Sequence, residues 1–469
     1  MAPKLFPSPF LLAVTISVCY VSTVHSLTDY ANIFLSPKNL SSIAADPAQN
    51  NAESTIRSWA GDLLVGGPYN VTGKLYTPPS GDKHDFMSFQ PYAWPDCSSA
   101  GNTTELTQEQ IWSTCQYVTK DGQINPDSKA VTDQNNFQDF ANAVFYGALS
   151  YVVEPADSPT QWDAQIAKML KAWFLDPETS MNPNLQFAQM RRGPGNEKGT
   201  HEGILDLKCM AKVVSAVLIL RDRQSANWPS DVDGQLNEWA KTYIQWLQTA
   251  DIALEEAAAT NNHGSFYYNQ LAALQILIGD NDAAKSTLEK YFTGIYLGQI
   301  DANGDQPLES ARTRPFHYRA YNLAAMITNA RLGEYVGYDA WDLKTTNGGT
   351  IKGALDYAIQ QDAGSEDDSE LYPWVAAIAT HYGDPDNTYA NYIKKILGNG
   401  FYKTPVYFWD KVAAASDIHV VTSTSTSASA SKTSSKNSKA AAESGASKTA
   451  KITFLLGLGT AAMAMVNLL

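Results

Sequence analysis

From Gln161 onward one pattern recurs along the chain: apolar residues return every three or four positions, in runs separated by short polar or glycine-containing turns. The spacing predicts helices over Ala164 to Phe174, Leu205 to Leu220, Leu236 to Thr249, Phe266 to Ile278, Asp282 to Phe292, Tyr318 to Leu332, Ile351 to Gln361 and Leu371 to His381. Stripes such as Met210, Val213, Val217 and Leu220, or Leu323, Met326, Ile327 and Leu332, belong to a core rather than to a cofactor-binding box. The helices come in pairs joined by turns such as Gly279-Asp280-Asn281, with no alternating strand pattern of comparable length between them. Such a succession implies an all-α fold of antiparallel helix hairpins, an (α/α) toroid or a solenoid. No repeat sequence recurs, which favours the toroid, an incomplete barrel. The segment Gly73 to Pro126, rich in aromatics, Pro, Gly and Asp, is expected as long ordered loops over the mouth of that barrel.

Both ends read as targeting signals. Lys4, the apolar stretch Phe10 to Val21 and the small-residue site before Leu27 fit a signal peptide over residues 1–26. A Ser/Thr/Ala-rich stalk covers 416–446, and the segment 447–469, a short polar spacer and then the uncharged apolar tail Ile452 to Leu469, follows the small residues Ser444, Gly445 and Ala446, a GPI-attachment pattern. The tail is rich in Gly and Ala and lacks basic residues on its far side, which favours a lipid anchor over a spanning helix. A secreted, cell-surface protein is therefore expected, with the membrane met only through the anchor. Residues 27–415 carry no linker or composition break and are expected as one domain. In an oxidising compartment Cys97 and Cys115, which bracket a polar loop, are expected to pair, leaving Cys209 as a thiol in a helix. Sequons at Asn39, Asn70 and Asn102 agree with secretion and predict surface positions. The leader carries Lys4 and the tail carries five Lys against Asp417 and Glu443, so the formal charge of −14 becomes −18 for the domain between. That balance disfavours nucleic acid and demands a local basic cleft if the substrate is a polyanion.

Two segments carry chemistry. Glu255-Glu256-Ala-Ala-Ala-Thr-Asn261-Asn262-His263-Gly264 ends a polar loop where a helix begins, with Asn262 and His263 expected to face a cavity; read blandly, Asn261 is a helix cap and His263 a hydrogen-bonded surface residue. The second, Gln306 to Asn322, packs Arg312, Arg314, His317, Tyr318, Arg319 and Tyr321 into the opening of another helix, whose N-terminus would attract an anion.

Asn-Asn-His-Gly followed some fifty residues later by Leu-Glu-x-Ala-Arg-x-Arg-Pro-x-His-Tyr resembles the alginate lyase superfamily of toroidal polysaccharide lyases, above all the branch acting on glucuronan and mannuronan. Further pieces are similar: His84-Asp85-Phe86-Met87-Ser88, Pro91-Tyr92-Ala93-Trp94-Pro95-Asp96, Tyr117, Lys120-Asp121-Gly122, Asn125-Pro126, and Met181-Asn182-Pro183-Asn184 through Gln189. The resemblance implies catalytic roles for Asn262, His263, Arg312 and Tyr318. The better-known alginate lyases carry one more residue between the arginine and the tyrosine, so Arg314 stands as the alternative to Arg312. Gln90, Tyr92, Trp94, Asn136, Gln189, Arg191, Arg192, His201 and Arg314 are the candidate substrate contacts, with Tyr92 and Trp94 equally fit to plug the loop layer.

These residue types suit β-elimination from a β-1,4-linked uronate. The C5 proton leaves only when the neighbouring carboxylate is neutralised, a task for Asn262 and Arg312 with His263. Tyr318, its pKa lowered by adjacent cations, would take that proton and return one to the departing O4, giving 4,5-unsaturated ends. One residue doing both requires a syn elimination, as in mannuronate and glucuronate; guluronate would need a second group, for which His263 serves. The expected partner is an acidic polysaccharide, the chain acts as a monomer, and neither metal nor cofactor is called for. Two rivals remain at this stage: a toroidal glycoside hydrolase built on Glu255, Glu256 and Glu309, and a non-catalytic polysaccharide-binding surface protein.

Overall fold

The computed structural model describes residues 32–44, 50–101, 105–154 and 160–410. The expected leader, the stalk, the anchor signal and the sequon at Asn102 lie outside the described residues. Among the described residues no helix is long and apolar enough to cross a membrane.

Two kinds of helix alternate. Asp133–Val153, Met210–Asp222, Asn262–Leu277, Pro315–Tyr335 and Tyr372–Tyr382 are buried around most of their circumference. Asn50–Gly66, Trp162–Phe174, Ser230–Thr249, Asn281–Thr293, Ile351–Ala358 and Thr388–Leu397 bury one stripe each and leave the other face to solvent. A helix apolar on every side needs neighbours on every side, whereas a striped helix needs one layer beneath it. The first set therefore forms an inner ring, each helix packed on the next, and the second forms an outer layer. The short helix Val406–Trp409 returns against Tyr372–Tyr382 and Asn50–Gly66 and closes the ring, its Trp409 edge-on to Phe145 with ring centres 5.7 Å apart. This is the all-α toroid that the periodicity predicts.

Several polar side chains inside the ring are paired across helices, as burial favours. Asn32 meets Asn269, Leu35 N donates to Ser215 Oγ at 2.9 Å and Thr328 Oγ1 donates to Asn32 O, so the segment entering the domain is stitched across three inner helices. Arg331 Nη2 lies 2.7 Å from both oxygens of Asp410 and ties down the last described residue.

The structure differs from expectation in several places. Helices Asn50–Gly66, Asp133–Val153, Asp251–Ala258 and Thr388–Leu397 are additional to the predicted set. The predicted helix from Leu205 begins instead as a 3-10 turn, His201–Leu207, with the α-helix starting at Met210; Cys209 is a buried thiol just before it. The aromatic loop region holds two ribbons: Met87–Phe89 runs parallel to Phe187–Met190, and Ala93–Asp96 pairs antiparallel with Gln116–Thr119. Just beyond the second ribbon Cys97 and Cys115 form the expected disulfide, with a Cα separation of 4.6 Å. Asn39 closes the 3-10 turn Pro37–Asn39, and Asn70 is half-buried with its Oδ1 accepting from Gly73 N.

Candidate active site

Four elements deliver the central group. Tyr318 sits in the first turn of Pro315–Tyr335, which Pro315 opens with its φ already helical. Arg312 precedes that helix, Tyr92 precedes the strand Ala93–Asp96, and Asp121 lies in the loop after Gln116–Thr119. Gly122, at φ +71°, lets that loop turn back: a Cβ there would come within 2.5 Å of Thr313 Oγ1. Arg312 Nη2 donates to Tyr318 Oη at 2.8 Å and to Asp121 Oδ1 at 2.7 Å, Nε reaches Asp121 Oδ2 at 3.3 Å, and the guanidinium carbon lies 3.8 Å from the centre of the Tyr318 ring. Tyr92 Oη is 3.0 Å from Tyr318 Oη. Of the two arginines it is Arg312 that meets Tyr318; Arg314 lies 3.6 Å from Glu370. The Arg312 hydrogen bonds hold Asp121 below the usual carboxylate range.

Tyr318 is only 6 % exposed. Burial, reinforced by Tyr92, pushes its phenol well above the ordinary tyrosine range, and the opposing pull of Arg312 is smaller. The expectation of a pKa lowered by neighbouring cations is thus reversed: desolvation outweighs the cation, and the resting group is a neutral phenol. The helix N-terminus is also not an open anion site. Glu366 accepts from Phe316 N and His317 N, and Glu370 accepts from His317, so the chain's own carboxylates fill it.

Asn262 and His263 open the helix Asn262–Leu277, capped by Asn261, whose Oδ1 accepts from His263 N. Gly264 makes this start possible, because a Cβ would fall 2.0 Å from Ala259 O and 2.5 Å from Ile295 Cδ1. Asn262 is held through its backbone N and its Nδ2, each 2.7 Å from an oxygen of Glu309. That buried carboxyl, raised by desolvation, lies within electrostatic reach of both His263 and Arg312, so the Asn-His pair and the Arg-Tyr pair meet around it. His263 Nδ1 lies 2.8 Å from Glu256 Oε1, and His201 Nδ1 lies 2.6 Å from Glu256 Oε2. The hydrogen bond to Glu256 lifts His201 to about 9. His201, Glu256 and His263 are the group among the described residues whose ligand atoms, all within 4.8 Å, could hold a metal. Both nitrogen–oxygen separations are hydrogen-bonding distances that spend one carboxylate oxygen on each ring, so the trio is hydrogen-bonded on its own terms.

The outlying candidates are more dispersed. Gln90 Nε2 donates to Thr200 Oγ1, and Trp94 Nε1 donates to Gln123 O with Lys120 over its ring, which fastens the loop layer beside Tyr92. Arg191 donates to Tyr117 O, and Asn136 donates to Asn70 O and Thr132 Oγ1. Two assignments as substrate contacts are corrected. Gln189, at φ +46°, is buried with Nε2 given to Asp206. Arg192 is 5 % exposed inside a cage of Phe89, Trp112 and Tyr117, its guanidinium carbon 4.5 to 5.2 Å from their centroids, and is a packing cation rather than a ligand for sugar. Asp121 and Glu309 had no assigned role in the Arg-Tyr and Asn-His pairs they hold. Only their places in Lys-Asp-Gly and Leu-Glu hinted at one. Of the three carboxylates of the hydrolase rival, Glu256 and Glu309 are buried and committed to His and Asn partners, while Glu255 is exposed, 3.8 Å from His201 Nε2.

The alginate lyase family model matches residues 70–369, a span that contains every residue of this site. The chain is similar to a solved alginate lyase from Bacteroides ovatus, with 27% identity over 79% of this chain and 96% of that one and a TM-score of 0.68. It also aligns with a histidine-to-alanine variant of alginate lyase A1-III complexed with tetrasaccharide, at 13% identity over 72% of this chain and 89% of the other, with a TM-score of 0.45. No curated protein matches the chain. The family match runs through the site and most of the ring, and the chain belongs to the alginate lyase family and is a polysaccharide lyase.

Proposed function

We propose that this lyase cleaves a β-1,4-linked uronan, glucuronan or mannuronate-rich alginate, by β-elimination at the group around Tyr318, and that it works outside the cell as a GPI-anchored glycoprotein. The observation that carries the reading is the contact of Arg312 Nη2 with Tyr318 Oη at 2.8 Å, which joins a proton-transfer group to a carboxylate neutraliser. Arg312 and the remaining Nδ2 proton of Asn262 hydrogen bond to the uronate carboxylate and stabilise the enolate-like charge that develops as C5 loses its proton. Because Tyr318 rests as a neutral phenol, the syn route runs through the fraction that has lost its phenolic proton to solvent; that phenolate, cradled by Arg312 and Tyr92, takes the C5 proton. The C–H electron pair forms the C4–C5 double bond, the C4–O4 bond breaks, and Tyr318 returns the proton to O4. Proton and leaving oxygen share a face in glucuronate and mannuronate, so one residue serves both steps.

A second reading, extension to guluronate, is favoured by burial of Tyr318, which keeps it a phenol fit to protonate O4, and by the anchored His263, which can accept the C5 proton from the other face. The test follows absorbance of the new double bond in the ultraviolet on glucuronan, polymannuronate, polyguluronate and hyaluronan. Glucuronan or polymannuronate should be cut, and Tyr318→Phe should lose about 10³-fold or more of kcat. An undiminished rate in that variant would sink the mechanism.

A further inference from the structure

Glu256 is the one member of the His201–Glu256–His263 trio with no side-chain exposure, and nothing in the elimination itself requires it. A carboxylate removed from water needs a compensating charge and hydrogen bonds to both oxygens. Here each oxygen takes one imidazole, through Nδ1 in both cases, at 2.6 Å for His201 and 2.8 Å for His263. The two rings are 5.8 Å apart, so two imidazolium ions would repel each other across a single negative charge. One proton satisfies the arrangement, and the surroundings decide which ring holds it. His201 Nε2 faces Glu202 at 3.6 Å and Glu255 at 3.8 Å, so a fully protonated His201 is hydrogen-bonded at Nδ1 and has two more carboxylates at ion-pair distance from Nε2. Around His263 the charged and titratable groups are Glu256, His201, Glu202 and Glu309, and two of these carboxylates are already balanced, Glu256 by His201 and Glu309 by the donors of Asn262.

We propose that Glu256 and His201 are positioning residues for His263: Glu256 fixes the His263 ring through Nδ1–H, and His201 carries the balancing charge, so that His263 is neutral and presents Nε2 as a proton acceptor. The elevation of His201 to about 9 agrees with this division of charge. The proposal rests on the lyase site described above and changes one role within it. A neutral His263 whose only N–H points at Glu256 cannot also donate to the uronate carboxylate, which leaves that task to Asn262 and Arg312. The local build follows from sequence: Glu256 lies in the last turn of the helix Asp251–Ala258, and the tight approach at Gly264 begins the next helix early enough to bring residues 256 and 263 into contact.

The proposal is tested first on the intact wild-type protein by nitrogen-15 NMR of labelled histidines at pH 7. His201 should be protonated on both nitrogens, and His263 should be neutral with its proton on Nδ1. The variants then act on His263 in different ways. Glu256→Gln removes the anion that fixes the ring and should leave His263 neutral but no longer held at Nδ1. His201→Gln keeps a donor to Glu256 but removes the competing cation and should let the proton pass to His263. On polyguluronate, the substrate for which His263 takes the C5 proton, Glu256→Gln should lower kcat about tenfold or more, with KM changed less than about threefold, and a wild type that leaves polyguluronate uncut would overturn the acceptor role. A His263 that is charged in the wild type or in Glu256→Gln, a His263 that stays neutral in His201→Gln, or an unchanged kcat in Glu256→Gln would overturn the proposal. If wild type cuts a uronan and Tyr318→Phe does not, such a result removes only the positioning pair. If wild type releases no unsaturated product from any uronan, the site reading fails and this proposal falls with it.

Discussion

Arg312 answers to two partners at once, since its Nη2 bridges Asp121 and the Tyr318 hydroxyl while Nε completes a fork on Asp121. A planar guanidinium can do this, and an ammonium cannot hold both geometries. Arg312→Lys is therefore expected to lose about 100-fold or more in kcat, the scale of one missing donor to a developing oxyanion, while Arg314→Lys loses less than about tenfold. Steady-state rates from the ultraviolet assay decide it, and a larger loss at Arg314 would reverse the assignment. The sequence left this choice open because the two arginines are separated by a single residue and both precede the tyrosine closely. What separates them is long-range pairing, with Asp121 from the loop layer and with Glu370 from the turn that leads into Tyr372–Tyr382. The same lack of local signal conceals the state of Tyr318. Neighbouring cations can be read from a motif, but the burial that outweighs them depends on what the fold lays over the ring.

At the level of elements, the site depends on where helices begin. Asn262–Leu277 starts in contact with the end of Asp251–Ala258, and Gly264 is the residue that permits it. In Gly264→Ala the new methyl must displace the Ala259 carbonyl, an overpacking strain of about 1–3 kcal/mol. Thermal unfolding should fall by a few degrees. Because the shift is at the helix start, kcat should fall with it as Asn262 and His263 leave register, whereas a loss of stability with full kcat would mean that the helix end is not a positioning device. A wet side was neither required nor sufficient for a helix to be legible: the buried Asn262–Leu277 and Pro315–Tyr335 were expected in large part, and the striped Asn50–Gly66 and Thr388–Leu397 were not. The striped outer helices around Ala164 to Phe174 and Leu236 to Thr249 emerge from periodicity alone, whereas Asp133–Val153, buried at most positions, has no stripe to read. The ribbons at Met87–Phe89 and Ala93–Asp96 were invisible because three- and four-residue strands give no alternation; their partners lie on other segments, Phe187–Met190 and Gln116–Thr119. The catalytic motif, by contrast, is contiguous at each helix start, so Asn262, His263, Arg312 and Tyr318 could be picked out together. Glu256 was visible only as a carboxylate, because its meaning lies in a ring delivered by His201, far away in sequence.

For the whole molecule, the acidic balance sets a condition on approach. The chain carries a formal −14, and the proposed substrate is a polyanion, so the two repel at long range. The cations that would bind it, Arg312 beside Asp121 and His201 beside Glu256, are each paired with a carboxylate and act mainly at contact. The two effects have different reach. The Debye length is about 30 Å at 0.01 M salt and about 8 Å at 0.15 M, so moderate salt removes the repulsion between whole molecules while leaving contact pairs largely intact. Raising NaCl from about 0.01 to about 0.15 M should therefore increase kcat/KM on glucuronan or polymannuronate, through KM rather than kcat. Near 1 M, where the Debye length is about 3 Å, contact attraction is screened too and kcat/KM should fall again. The measurement is the initial rate of ultraviolet absorbance against substrate concentration at each salt level. A steady decline from the lowest salt upward would show that attraction to the cleft, not repulsion by the acidic surface, governs the encounter, and would require a basic path to the site that extends beyond the groups around Tyr318.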